Sequence, residues 1–280
     1  MELIENRTFD EERALYGSKD VSVRHCRFDG PADGESALKE SSGVAVADSY
    51  FNLRYPFWHV DGLTISTSEM TDKCRAAIWY SKDIKISDTK LHGIKALREC
   101  ADVVISGSSI ISPEFGWSVK GLKMTDTTAE SEYFLMRSSD IVFENVKLTG
   151  KYSFQYVENV TISNSELNTK DAFWHAKNVT VKDSVVNGEY LGWYSENLTF
   201  INCKIKGTQP LCYCKELTLI NCEMEDCDLA FERSQVDATI TTPVISIKNP
   251  LSGKIVVPRA DEIIRDIPGA DAEIIISDPS

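Results

Sequence analysis

The chain of 280 residues is short of positive charge, of long apolar runs and of glycine-rich phosphate loops, and each shortage removes a class of function. Its 30 Lys and Arg stand against 43 Asp and Glu, a formal net charge of −13 at pH 7. No basic stripe is left to meet a phosphate backbone or an anionic bilayer, so neither nucleic acid nor membrane is expected as a partner. An acidic polymer as ligand would need local cations or a metal to offset this field. No apolar run approaches ~18 residues, and the stretch Met1-Glu2-Leu3-Ile4-Glu5-Asn6-Arg7 lacks a signal-peptide core. A cytoplasmic protein is the expectation. The P-loop signature and the G-x-S-x-G elbow are absent too, so no cofactor is expected.

Eight cysteines are present, but not at the spacing of a paired CxxC zinc site. Cys26, Cys203 and Cys222 share one column with Ser49, Ser68, Thr89, Ser108, Thr127, Ser165 and Ser184. A column of small residues points to buried free thiols in a reducing compartment. Zinc held by Cys203, Cys212, Cys214, Cys222 and Cys227 is the weaker alternative, and no metal is expected.

What the chain does have is a block that recurs every 19 residues. Asp140-Ile141-Val142-Phe143-Glu144-Asn145-Val146-Lys147-Leu148 is followed by Asn159-Val160-Thr161-Ile162-Ser163-Asn164-Ser165-Glu166-Leu167. The first apolar residue of each block falls at Ile84, Val103, Leu122, Ile141, Val160, Val179, Leu198 and Leu217. Looser copies begin at Val21, Val44, Leu63 and near Ala238. A fixed period of this size means a solenoid, each coil leaning only on its neighbours.

Within a coil, Val160 and Ile162 alternate with polar residues, the period of a strand with one buried face. Asp83, Asp102, Asn159, Asn178 and Asn197 precede such strands, and Asp88, Asp126, Asn164, Asp183 and Asn202 follow them. Both columns read as turns, because these side chains tolerate left-handed backbone. A second short strand and an apolar third side complete the coil. This predicts an all-β fold, a right-handed parallel β-helix of about twelve short coils in one domain. Residues 1–20 would cap one end, with a short helix as an option, residues 21–250 would form the coils, and 251–280 would cap the other end. A leucine-rich-repeat-like solenoid is the alternative. It is disfavoured by the small third position, the short period and the Asn/Asp bracketing of the strand.

The blocks Asn159–Leu167 and Asn197–Ile205 resemble coils of pectin-lyase-like right-handed β-helices. The stretches Phe9–Tyr16, Asp29–Glu40 and Asn52–His59 resemble a narrower group, a bacterial family of intracellular β-helix proteins classed as a domain of unknown function. The resemblance runs over essentially the whole chain. It implies the fold and carries no activity.

Candidate chemistry collects on the third side. All five tryptophans, Trp58, Trp79, Trp117, Trp174 and Trp193, share a column with Lys39 and Arg98. The next column holds Glu40, His59, Tyr80, Glu99, Arg137, Tyr156, His175 and Tyr194. One reading is an outward face for a carbohydrate or glycoconjugate, with indole faces packing on sugars and the polar groups fixing hydroxyls. The other is an aromatic ladder that only stabilises the stack, or a face that docks a protein partner or a second copy. Strict alternation lets only one of two adjacent columns face out unless the chain bends between them.

Glu40 and His59, in neighbouring coils, form the best acid/base pair, with Glu99 as a further candidate. Lys39, Arg98 and Arg137 are candidates for an anionic group. Lyase, hydrolase or isomerase chemistry here would rest on fold analogy alone. His175, six coils from His59, would not share its site. The insertion Asp29-Gly30-Pro31-Ala32-Asp33-Gly34-Glu35 lengthens the first coil to 23 residues and offers three carboxylates, either to calcium or, more simply, to water.

Overall fold

The repeat closes into coils because each has left-handed corners where side chains allow them. Asp83 (φ 50°), Asp102 (55°), Asn159 (58°), Asn178 (53°) and Asn197 (54°) form one such column. Asp88 (48°), Asn164 (49°), Asp183 (49°) and Asn202 (51°) form the next. Between them run strands such as Lys82–Ser87, Ala101–Ser106, Lys177–Lys182 and Glu196–Ile201. In the computed structural model, which describes residues 1–277, the chain is a parallel β-solenoid of about 14 turns, with no helix among the described residues.

The turn count exceeds the expected twelve because both ends carry ladder strands. Glu2–Glu5 pairs in register with the first strand expected as a coil, Glu2 opposite Val21. At the other end Ala238 lies opposite Ile255, and Ile255 opposite Ile274. The segments expected as caps therefore continue the winding, and the N-terminal one contains no helix. Residues 278–280 of the expected C-terminal cap lie outside the described residues.

The chain divides into two compact units, Met1–Ile141 and Val142–Ser280. In the first, the register runs Val21 to Val44, Leu63, Ile84, Val103 and Leu122. Its core includes stacked phenylalanines, with Phe9 to Phe28 at 5.0 Å and Phe28 to Phe51 at 4.5 Å between centroids. In the second, Val160, Val179 and Leu198 stack in register, and Phe154 stacks on Phe173 at 4.8 Å. Each such pair contributes about 0.5–1.5 kcal/mol beyond the area it buries.

The small column is a hydrogen-bond ladder. Ser68 Oγ accepts from the Ser49 amide at 3.1 Å and donates to the Ser66 carbonyl at 2.7 Å. Cysteine keeps half of this role: Cys203 Sγ points its proton to Ile201 O at 3.3 Å and Cys222 Sγ to Ile220 O at 3.5 Å, two residues back as in serine. All eight thiols are free and buried. Side-chain amides tie turns together, Asn178 Nδ2 donating to Asn159 Oδ1 at 3.2 Å and Asn197 Nδ2 to Asn178 Oδ1 at 3.0 Å.

The third side is strand only in short pieces. Two-residue strands occur at Phe57–Trp58, Ile78–Trp79 and Leu97–Arg98. In the second unit this side is built of turns, with Phe154 (φ 59°), Phe173 (60°) and Leu211 (62°) left-handed and fully buried. Large side chains there are driven inward by the narrow coil, and burial offsets a backbone cost of about 1–2 kcal/mol each.

Candidate functional site

On the third side the backbone settles which columns face out. The residue after each tryptophan is left-handed in His59 (φ 55°), Tyr80 (55°), His175 (55°) and Tyr194 (60°), as are Glu40 (61°), Glu99 (52°), Arg137 (58°) and Tyr156 (57°). A left-handed residue breaks the alternation of a strand, so two adjacent side chains leave the coil on the same side. The tryptophans are accordingly half-buried and the next column is exposed. Val60, Ser81, Cys100, Val119, Ala176 and Ser195 then return the chain to the core.

In the first unit the inner column is a continuous stack. Lys39 Nζ lies 5.6 Å from the Trp58 ring centroid, and Trp58 stacks on Trp79 at 5.1 Å with 2° between planes. The Arg98 guanidinium sits between two indoles, 5.1 Å from Trp79 and 5.3 Å from Trp117. In the second unit Trp174 stacks on Trp193 at 5.3 Å. Every indole N–H is also committed to a corner carbonyl of the following coil. Trp58 donates to Ala76 O at 2.6 Å, Trp79 to Lys95 O at 2.8 Å and Trp117 to Tyr133 O at 2.7 Å. Trp174 donates to Tyr190 O at 2.6 Å and Trp193 to Gln209 O at 2.8 Å.

One non-aromatic member of the column repeats the contact, Gln155 Nε2 donating to Asp171 O at 3.3 Å, while the Cys212 thiol lies nearer Gln209 O, at 3.4 Å, than the following coil's Leu229 O, at 3.7 Å. Each tryptophan thus combines a donor that reaches the next corner with a stackable ring, whereas Lys39 and Arg98 hold their places in the column by stacking. This corrects the expected mode of sugar binding. The stacked indole faces are already covered by each other and by the cations.

The exposed column presents ring edges. His59 stacks on Tyr80 at 5.1 Å. In the second unit Tyr156, His175, Tyr194 and Tyr213 stack at 4.9, 5.1 and 4.8 Å. Tyr80, Tyr156 and Tyr194 remain 45–48% exposed, so phenol hydroxyls and imidazole nitrogens face solvent at one-coil intervals. Burial raises the Tyr213 phenol above its usual range, with Glu232 adding to the effect.

Glu40 and His59 do not form the expected pair. No side-chain hydrogen bond joins them among the described residues, and the imidazole lies against Tyr80 instead. His59 and Glu99 are brought to one place, flanking Tyr80 along the column. They line a shallow depression of about 310 Å³ with Asp61 and Lys82, which are ion-paired at 3.0 Å. Asp61 and Lys82 were not among the sequence candidates. They open strands three residues before Thr64 and Lys85, where nothing in the repeat marks them.

A larger depression of about 470 Å³ lies among Asp48, Thr67, Glu69, Asp88 and Lys90. Thr67 Oγ1 donates to Asp48 there at 2.6 Å, and Lys90 pairs with Glu69 at 3.6 Å.

The insertion loop holds its own charges. Asn52 and Arg27 donate to Asp29, which keeps that carboxyl below its usual range. Arg54 pairs with Asp33 at 2.8 Å and Glu35 at 3.4 Å. The three carboxylates offered to calcium by the sequence are thus each engaged by a side-chain donor. Among the described residues, no three His, Cys, Asp or Glu side chains group in a way that could hold a metal ion.

A family model described as "Protein of unknown function (DUF3737)" matches residues 2–276. No curated protein matches the chain. Among solved structures, the surface adhesin PfbA of Streptococcus pneumoniae aligns at 11% identity and TM-score 0.43, over 93% of this chain and 74% of that one. The A-module of the mannuronan C-5 epimerase AlgE4 of Azotobacter vinelandii aligns at 12% and 0.35, over 96% and 88%. The periplasmic alginate epimerase AlgG aligns at 10% and 0.35, over 94% and 77%. At these identities and scores the likeness bears on neither activity nor ligand.

Proposed function

The chain belongs to the DUF3737 family, whose description assigns no function, and from its own side chains we propose that it binds a carbohydrate or glycoconjugate edge-on along the exposed column of the first unit. The observation that carries this reading is the left-handed run Glu40, His59, Tyr80 and Glu99. It sets carboxylate, imidazole and phenol groups outward, about 4.8 Å apart along the stack, beside the depression that His59, Tyr80 and Glu99 line. Sugar hydroxyls are both donors and acceptors and match such a row. The carboxylates accept, while the imidazole and phenol do either.

The reading is of a binding face: the His59 imidazole lies against Tyr80, and among the described residues no hydrogen bond from Glu40 orients it for acid/base work.

Titration calorimetry with a neutral hexasaccharide such as chitohexaose tests the reading. Tyr80→Phe and Glu99→Gln should each weaken binding about 3- to 10-fold, the worth of a single hydrogen bond at a half-exposed site. Saturable binding unaffected by either change would move the site elsewhere. An absence of binding across neutral and acidic oligosaccharides would sink the proposal.

A second reading is favoured by the half-exposed rings of Tyr156 and Tyr194 in the second unit. Such a strip suits contact with protein, a second copy included. Sedimentation analysis of Tyr194→Asp distinguishes it: a concentration-dependent oligomer abolished by the change supports self-association.

A further inference from the structure

The inner column of the first unit carries cations without counterions, in a chain whose net charge is −13. The Arg98 guanidinium is clamped between Trp79 and Trp117. Its Nε is buried without a hydrogen-bond partner, and among the described residues it forms no ion pair. Lys39 lies over Trp58 and is likewise unpaired. Their neighbours behave differently: Arg54, Lys82 and Lys95 each have a carboxylate within 3.4 Å. A half-buried cation left without a partner is costly unless a ligand supplies the anion.

We propose that Lys39 and Arg98 bind two acidic groups of one glycan, so that the ligand of this face is an acidic oligosaccharide. This rests on the glycan-binding reading above and sharpens it. The two cations are three coils apart, about 14 Å along the stack. Between them the exposed column offers His59 and Tyr80 to the hydroxyls of the intervening sugars. Stacking on indoles fixes the cationic heads in place without neutralising them, which preorganises them for an anion. Glu40 and Glu99, next in sequence to the two cations, face the same solvent. They repel a densely charged polyanion and accept hydrogen bonds from hydroxyls, so the acidic groups must be spaced along the ligand rather than packed on every position of the face.

The experiment compares hexagalacturonate, a hyaluronan hexasaccharide and neutral chitohexaose by tryptophan fluorescence, because the cations lie on the reporting indoles. It runs at several salt concentrations, with Lys39→Met and Arg98→Met, which keep apolar bulk while removing charge, and with circular dichroism to verify folding. The expected result is tighter binding of at least one acidic sugar than of the neutral one, a steep loss with salt, and about tenfold or greater weakening in each variant. Equal, salt-insensitive binding of acidic and neutral sugars overturns the inference and leaves the glycan face standing. Acidic-sugar binding that survives both substitutions removes these two residues as its anchors and overturns it as well. Failure of all three sugars removes both proposals together. If Arg98→Met does not fold, Lys39→Met and the salt dependence of the unmodified protein decide the matter.

Discussion

The outward turn of the exposed column depends on left-handed backbone, and a substitution series at Tyr80 tests that cause directly. Tyr80 has φ 55°, stacks on His59 and meets Trp58 and Trp79 edge-on at 6.2 and 5.9 Å. Tyr80→Gly, Tyr80→Ala and Tyr80→Val all lose these ring contacts, a common cost of about 1–3 kcal/mol. What remains is backbone. Alanine in the left-handed region costs about 1–2 kcal/mol relative to glycine, whereas the extra freedom of glycine in the unfolded chain costs about 0.4–1 kcal/mol. Glycine should therefore exceed alanine in stability by about 0.5–1 kcal/mol, and β-branched valine should fall about 1 kcal/mol further below alanine. Urea unfolding followed by far-ultraviolet circular dichroism ranks the three. In an ordinary strand glycine is the less stable of the pair by roughly 0.5–1 kcal/mol. Finding that ordinary order would refute the left-handed assignment, and with it the reason both columns face out.

Two further outcomes follow from the core. Burial pushes the thiols of Cys100 and Cys203 up to about 11, and those of Cys212, Cys214 and Cys227 up to about 12. At pH 7 and below these thiols are protonated folded or unfolded, so they leave stability flat. Above it the unfolded chain releases protons that the folded one retains, and stability falls progressively toward pH 11–12. A Cys203→Ser, Cys222→Ser variant, copying Ser165 and Ser184 of the same column, should decline less steeply in urea midpoint over that range, and thiol reagents should react with the parent protein only on unfolding. The glycines of the inward third-side column are the other test. At Gly116 (φ 74°) an added Cβ would meet Leu135 Cδ2 at 2.3 Å, and at Gly192 (φ 75°) it would meet Leu211 and Leu198 at 2.9 and 3.0 Å. Alanine at either should cost about 1–3 kcal/mol, and more at Gly116, where the closest contact is shorter. Thermal melts that leave Gly116→Ala equal to the parent would show that the leucines have room to give.

What the sequence made legible is what repeats. The 19-residue period fixed the strands and the register from Ile84 to Leu122 and from Val160 to Leu198, and the Asn and Asp columns announced their corners. The third side was harder to read because its corners are occupied by His, Tyr, Glu, Phe and Leu, residues whose identity does not advertise left-handed backbone. Adjacent aromatic columns there looked like a conflict between inside and outside, and only the backbone reversal resolves it. The commitment of every indole N–H to a corner carbonyl was hidden for another reason: a carbonyl has no residue signature. Its trace was nonetheless present, because Gln155, in the tryptophan column, is also a donor to the following corner. Tryptophan and glutamine share little there except that hydrogen bond. Lys39 and Arg98 make no such bond to a corner. Stacking alone places these two cations in the column, so the architecture that explains the tryptophans leaves them to be explained by what they bind.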